Sequence, residues 1–290
     1  MLDSVGAFII GMIRYSTPLL YVSLGVLVME ATGVLNMGAE GMMILGCFTA
    51  VAGTNATGSI WAGFLLAMLV CGGFALLFGW LAVGLSINQT VLGIAFNLVG
   101  AGLTTTLNRT FLKGVTLKQH FATDRMGFSA PVYLAFLITI VLWVVMYKTK
   151  AGIIMRSVGE NPLVAESVGM SVPKVRYIAC GVAGMFVGAG GAFLATGLLS
   201  SFTENMTEGR GFLALAAVTF GKYTPFGTLV GVLVFGTGEM ASYRMQVSST
   251  VIPYEFALMI PYILVLLAMS IFSRNGKDPA ALAVPYTKEL

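Results

Sequence analysis

Long apolar stretches alternate with short polar breaks along the whole chain. A window about 19 residues wide places apolar segments at 6–29, 33–53, 60–84, 88–107, 130–147, 177–199, 209–221, 225–243 and 254–272. A helix needs about 20 residues to cross about 30 Å of hydrocarbon. The segment 209–221 is too short for that, and 33–53 carries Glu40 with Gly33, Gly38 and Gly41 in its first half. Both are expected to be broken or half helices. The pattern predicts an all-α, polytopic membrane helix bundle of about nine spans (eight to ten), in two halves, with residues 1–290 forming a single transmembrane domain.

Composition narrows the class. Mean hydropathy is +0.91, with 57% hydrophobic and only 10% charged residues. No Asp, Glu, Lys or Arg occurs from Gly41 to Asn108. A soluble domain could not keep that much uncharged apolar chain in solution. Glycine is abundant, and Gly184-x-x-x-Gly188 has the spacing that lets two helices approach closely. Cys47, Cys71 and Cys180 lie in apolar segments without a Cys-x-x-Cys spacing, and read as small buried hydrophobes. The one histidine, His120, cannot build a metal site or a triad, so no metal is expected. No basic leader with a cleavage site precedes the first apolar stretch, which is expected to remain as a span.

The loop 148–176 is a polar island between spans, with Lys148, Lys150, Arg156, Lys174 and Arg176. With the tail residues Arg274, Lys277 and Lys288, it is expected in the cytoplasm. The N-terminus then lies outside. The loop 108–129, with Arg109, Lys113, Lys118 and Arg125, falls on the opposite face and opposes this assignment. Within the island, Asn161-Pro162 leads into a short amphipathic helix with Ala165, Glu166 and Gly169, suited to docking on another protein.

Ionisable groups inside spans are costly and mark cavities. Two Gly-rich clusters stand out, Glu30 to Gly41 and Thr207 to Gly211. Each carries a carboxylate and opens a run of small residues, as in an internal repeat around a central path. Candidate pathway residues are Asn36, Glu40, Asn88, Gln89, Asn97, Glu208, Arg210 and Glu239. Each has a plainer reading. Glu40 can cap a helix, Glu208 and Arg210 can pair at a helix start, Glu239 can pair with Arg244, and the amides can join helices. Phe96 or Phe220 could stack a base, although core packing is the commoner role. No phosphate loop is present, so ATP is not bound by that route, and no triad or paired-cysteine arrangement suggests an enzyme. Basic residues are scattered at span boundaries and suggest no nucleic-acid role.

Four segments resemble the membrane permeases of bacterial ATP-binding-cassette importers, in the branch that serves ribose-type sugars, branched-chain amino acids and nucleosides. They are Glu30–Met43, Arg156–Gly169, Gly209–Ala217 with Phe220-Gly221, and the tail Pro279–Tyr286. The form Gly-Val-Leu-Asn-Met-Gly-Ala-Glu-Gly is most similar to nucleoside-type permeases, with ribose-type sugar permeases as the competitor. The resemblance implies a bacterial plasma-membrane importer that binds no cofactor itself. ATP is used by a separate ATPase docked on Gly159, Glu160, Asn161, Pro162, Ala165, Glu166 and Gly169. It also implies a second, related permease subunit and a substrate-binding lipoprotein that delivers the nucleoside to the outer face of the lipid membrane. Two rivals remain: an ion-coupled secondary transporter with Glu40 and Glu239 as proton carriers, and an assembly protein with no path.

Overall fold

The computed structural model describes residues 2–112, 114–125, 127–248, 254–272 and 278–286. The basic tail residues Arg274, Lys277 and Lys288, and Lys113, lie outside the described residues. Among the described residues, eleven helices follow one another: α1 Leu2–Glu30, α2 Ala39–Thr57, α3 Ile60–Gly79, α4 Gln89–Leu107, α5 Ala130–Lys148, α6 Lys150–Glu160, α7 Pro162–Ser167, α8 Val172–Phe193, α9 Arg210–Phe220, α10 Pro225–Ser248 and α11 Tyr254–Phe272. Single π-helical turns extend α3, α4 and α8. Isolated bridges are the only β pairing among the described residues. Among the described residues, five segments are long and apolar enough to cross a membrane: Gly6–Glu30, Ile60–Gly84, Gln89–Leu112, Ala130–Lys148 and Val172–Leu199. α2, α10 and α11 fall where further spans are expected, and α9 is the expected half helix.

α8 is the central post, packed along α1, α2 and α3. Its glycines make this possible. A Cβ on Gly188 would lie 2.5 Å from the Ala67 carbonyl oxygen, and one on Gly184 would strike Ala75 and the Cys71 carbonyl. The Gly184-x-x-x-Gly188 motif therefore faces α3 within the same chain, backbone nearly on backbone. Cys71 and Cys180 fill this seam, and all three cysteines are free and buried. The outer faces of α3 and α4 expose Leu65, Leu69, Val91 and Leu98, as a lipid-facing surface should.

α8 begins at Val172, five residues before the apolar stretch that announced it. Pro173 lies in its first turn, where a missing N–H costs nothing. This start carries Arg176 into the bundle, where it is 1% exposed and its Nε donates to the Thr32 carbonyl at 3.1 Å. Arg176 is thus a buried packing residue, which removes it from the charges of the loop. At the other end of the bundle, Arg109 meets Glu204 at 2.9 and 3.1 Å in a two-pronged pair. That hydrogen bond holds the Glu204 carboxyl below its usual range.

Gly188→Ala must push α8 away from α3 and should cost about 1–3 kcal/mol. Gly73→Ala, on α3 with nothing near its added Cβ, should be neutral or mildly stabilising. Thermal unfolding of the two purified variants in the same detergent checks both.

Candidate functional site: a broken-helix junction and its cavity

The chain leaves α1 in a tight turn after Glu30 and runs without helix to Gly38. The stretch is held by side-chain amides. Gln89 Oε1 accepts from Leu35 N at 2.7 Å. Asn97 donates through Nδ2 to the Met37 carbonyl at 2.9 Å and accepts from Gly41 N at 2.8 Å. Asn97 thereby serves both the irregular stretch and one open N–H of the first turn of α2. Asn88 caps α4, accepting from Thr90 N and Val91 N at 3.0 and 3.2 Å. Asn36 is fully buried, and neither side-chain atom has a hydrogen-bond partner among the described residues.

α2 begins after this irregular stretch and, with 19 residues and about 28 Å of rise, is a continuous helix where a broken or half helix was expected; α9 is the short one. Eleven residues give α9 about 16 Å of rise, roughly half a hydrocarbon thickness. The two N-termini meet. Glu40, in the first turn of α2, accepts from Gly209 N at 2.8 Å with Oε1 and from Gly211 N at 2.6 Å with Oε2. A carboxylate is the natural partner for two open N–H groups at the positive end of a helix. Gly211 has to be glycine, because a Cβ there would lie 2.5 Å from Glu40 N.

Beside the junction lies a cavity of about 390 Å³, lined among others by Tyr15, Glu208, Arg210, Glu239, Tyr243 and Tyr262. Arg210 Nε is 3.0 Å from Glu239 Oε1, and Arg210 Nη1 is 3.7 Å from Glu208 Oε2. Nη1 also donates to the Met206 carbonyl at 3.2 Å. Glu239 takes Arg210 as its ion-pair partner, while the Arg244 guanidinium lies 5.1 Å from the Phe8 ring. Tyr262 donates its hydroxyl to the Glu208 carbonyl. The Tyr15 and Tyr243 rings are 5.2 Å apart and tilted.

Of the eight candidate pathway residues, Glu208, Arg210 and Glu239 reach the cavity wall. Glu40 stands behind them on the α9 N-terminus. Asn88, Gln89 and Asn97 hold backbone, and Asn36 is buried away from the cavity lining. The sequence reading passed over Tyr15, Tyr243, Tyr262 and Gln246. One signal was available: Glu239, Ser242, Tyr243 and Gln246 fall at i, i+3, i+4 and i+7 on α10, a polar stripe on one helix face.

A second feature lies at the end of the bundle where α1 finishes. The Asn161 side chain accepts from Val164 N at 3.2 Å and starts α7, with Pro162 in its first turn. Gly169, at φ 84°, follows the end of α7. Ala165 is buried with Val158, Val172 and Tyr286. Leu163, Val164 and Val168 are exposed apolar residues, and Glu160 is exposed beside them. Gly159 packs on the turn after α1, where a Cβ would strike the Ala31 carbonyl oxygen. Glu166 accepts from the Tyr286 hydroxyl, and burial together with this carboxylate pushes the Tyr286 phenol up to about 12.

Residues 8–269 match the family described as branched-chain amino acid transport system / permease component. The chain belongs to this permease family. It is similar to the guanosine ABC transporter permease protein NupQ of Bacillus subtilis, at 34% identity over 94% of each chain. It is similar to the nucleoside ABC transporter permease protein NupC of Lactococcus lactis, at 30% identity over 99% of each. The putative glucose ABC transporter permease protein TsgC13 of Haloferax volcanii is 33% identical over 81% of this permease and 76% of its own length. No solved structure matches the permease.

Glu40→Ala leaves two N–H groups at the start of α9 without their partner. It should lower stability by about 1–3 kcal/mol, and Glu40→Gln, which keeps one good acceptor, should lose less. Denaturation of the purified permease variants, followed by circular dichroism, checks the ranking.

Proposed function

We propose that this permease is the membrane-spanning subunit of an ATP-driven importer of nucleosides in a bacterial plasma membrane. The observation that carries the reading is near full-length similarity to permeases named for guanosine and for nucleosides. The structure supports it with a capped, partly apolar helix pair, α6–α7, offered at one end of a helix bundle. That end is cytoplasmic in this reading, and a separate ATPase docks there on Gly159–Glu166 and Gly169. A second, related permease completes the membrane part, and a binding lipoprotein delivers solute to the other end.

The cavity beside Arg210 is the permease's own contact with the solute. Its aromatic walls suit a flat base, and its hydroxyl, amide and charged groups suit a polar, neutral solute. Binding there need only be weak, because tight binding slows release. A sugar importer is the second reading, favoured by the similarity to the putative glucose permease.

Uptake of labelled guanosine, uridine and glucose should be compared in cells with and without the chain. Loss of nucleoside uptake alone supports the nucleoside reading; loss of glucose uptake alone moves the assignment to sugars. Uptake that survives ATP depletion and stops with an uncoupler overturns the ATP-driven reading. Glu160→Lys should abolish uptake while the protein stays in the membrane at its normal level. Unchanged uptake would remove Glu160 from the docking surface.

A further inference from the structure

The described tail, residues 278–286, is folded back against the bundle and forms hydrogen bonds with two separate parts of it. Ala281 N donates to the Gly159 carbonyl at 2.9 Å, and Ala283 N donates to the Gly33 carbonyl at 3.2 Å. Two residues of backbone therefore join the end of α6 to the turn after α1. The segment keeps its shape through its own bonds, Leu282 N to the Pro279 carbonyl at 2.9 Å and Val284 N to the Ala281 carbonyl at 3.3 Å. Ala283 sits at φ 62°, a left-handed conformation that a residue with a Cβ rarely adopts without outside support.

Tyr286 makes the third attachment. Its hydroxyl donates to the Glu166 carboxylate on α7, and its ring lies 5.8 Å from the Arg176 guanidinium on α8. Arg176 in turn donates to Thr32, the residue before Gly33. Glu166, Tyr286, Arg176 and Thr32 thus form a chain of side-chain contacts from the docking helix to the turn. The Ala281 and Ala283 bonds form a parallel route from α6. Both routes end on residues 31–33. From there the irregular stretch leads directly to Glu40, which holds the first turn of α9 at Gly209 and Gly211, on either side of Arg210, whose side chain pairs with Glu239 at the cavity wall.

We propose that the tail is a transmission strap, through which displacement of α6–α7 reaches the broken-helix junction, and that Tyr286 and Arg176 are positioning residues for this coupling. The proposal rests on the ATP-driven reading given above. Neither residue touches solute. They fix the distance between α7 and the turn at 31–33, so that movement of one must move the other. Without the Tyr286 bond, α7 loses its own arm of the link and only the α6 arm through Ala281 and Ala283 remains, so that more ATP is hydrolysed for each solute passed.

The test uses the complete transporter in proteoliposomes, with ATPase, both permeases and binding lipoprotein, and labelled guanosine as probe. Two quantities are read together: ATP hydrolysis stimulated by the loaded lipoprotein, and guanosine moved per ATP. Tyr286→Phe keeps the ring over Arg176 and loses only the hydroxyl. It should leave thermal unfolding and hydrolysis near wild type while guanosine per ATP falls about threefold or more. Glu166→Gln, whose amide oxygen still accepts the hydroxyl, should restore most of the coupling that Glu166→Ala loses. Adding Tyr286→Phe to Glu166→Ala should cause no further loss, because both remove the same bond. Deletion of 279–290 should uncouple more strongly than either. If Tyr286→Phe and the deletion both keep the wild-type ratio, the strap is refuted and the importer reading stands. If hydrolysis, uptake and thermal stability fall together in Tyr286→Phe, the tail only supports the fold and the strap is likewise refuted. If the wild-type transporter takes up no guanosine with ATP, the importer reading fails and takes the strap with it.

Discussion

Inside a bilayer no water is available to a free backbone N–H, so a helix that starts at mid-depth needs a partner supplied by the protein. Here the partner of α9 is the Glu40 carboxylate, which takes the N–H groups of Gly209 and Gly211. Glu40 belongs to the first turn of another helix, α2, whose own start is served by Asn97. The two helix starts are thus solved jointly. Two helices that could not begin where they do are made stable by meeting each other. Their meeting point places Arg210 against Glu239, where the pair adds charge to a cavity wall that also carries Glu208, Ser242, Gln246 and three tyrosines. The cost of burying charge is held down by pairing, since neither partner stands alone in a low-dielectric interior.

Much of this was legible in the chain. The apolar segments recur in the structure; the one around Gly209 is the expected short helix, whereas the one around Glu40 gives a continuous 19-residue helix, α2, that begins after an irregular stretch. Glycine beside a carboxylate is a local signal, and local signals survive in sequence. The distant pairings are different. Nothing near Glu40 says that its partners lie 169 and 171 positions away, and nothing near Arg176 says that it will be buried against Thr32. Hydropathy averaging counts Arg176 as a loop charge because it weighs the side chain without knowing its neighbours. The tyrosines of the cavity were missed for a related reason. An aromatic ring in a span is ordinary in lipid, and apart from Tyr243 in the polar stripe of α10, only the assembled bundle shows which rings face inward.

The resemblance of whole segments filled part of the gap. Asn161-Pro162 was read as the start of a short helix, and its capping bond to Val164 gives that reading a physical cause. The tail was recognised only as a family ending. Its bonds to Gly159 and Gly33, and the buried hydroxyl of Tyr286, give it a place in the architecture that neither hydropathy nor motif could assign.

The glycine face of α8 has a mechanical meaning. Where backbone lies on backbone, there are no long side chains to swing between rotamers, and a small displacement at once becomes a steric clash. α8 with α1, α2 and α3 therefore behaves as a stiff block. Around the cavity, α9, α10 and α11 meet partly through glycines, Gly231 beside Ala217 and Gly238 beside Pro261, and partly through Arg210, Tyr243 and Tyr262, and Pro261 interrupts the hydrogen-bond ladder of α11. Long side chains can slide and re-seat. A displacement that reaches the α8 block carries its helices together, and the side-chain contacts at the cavity are where it can be taken up.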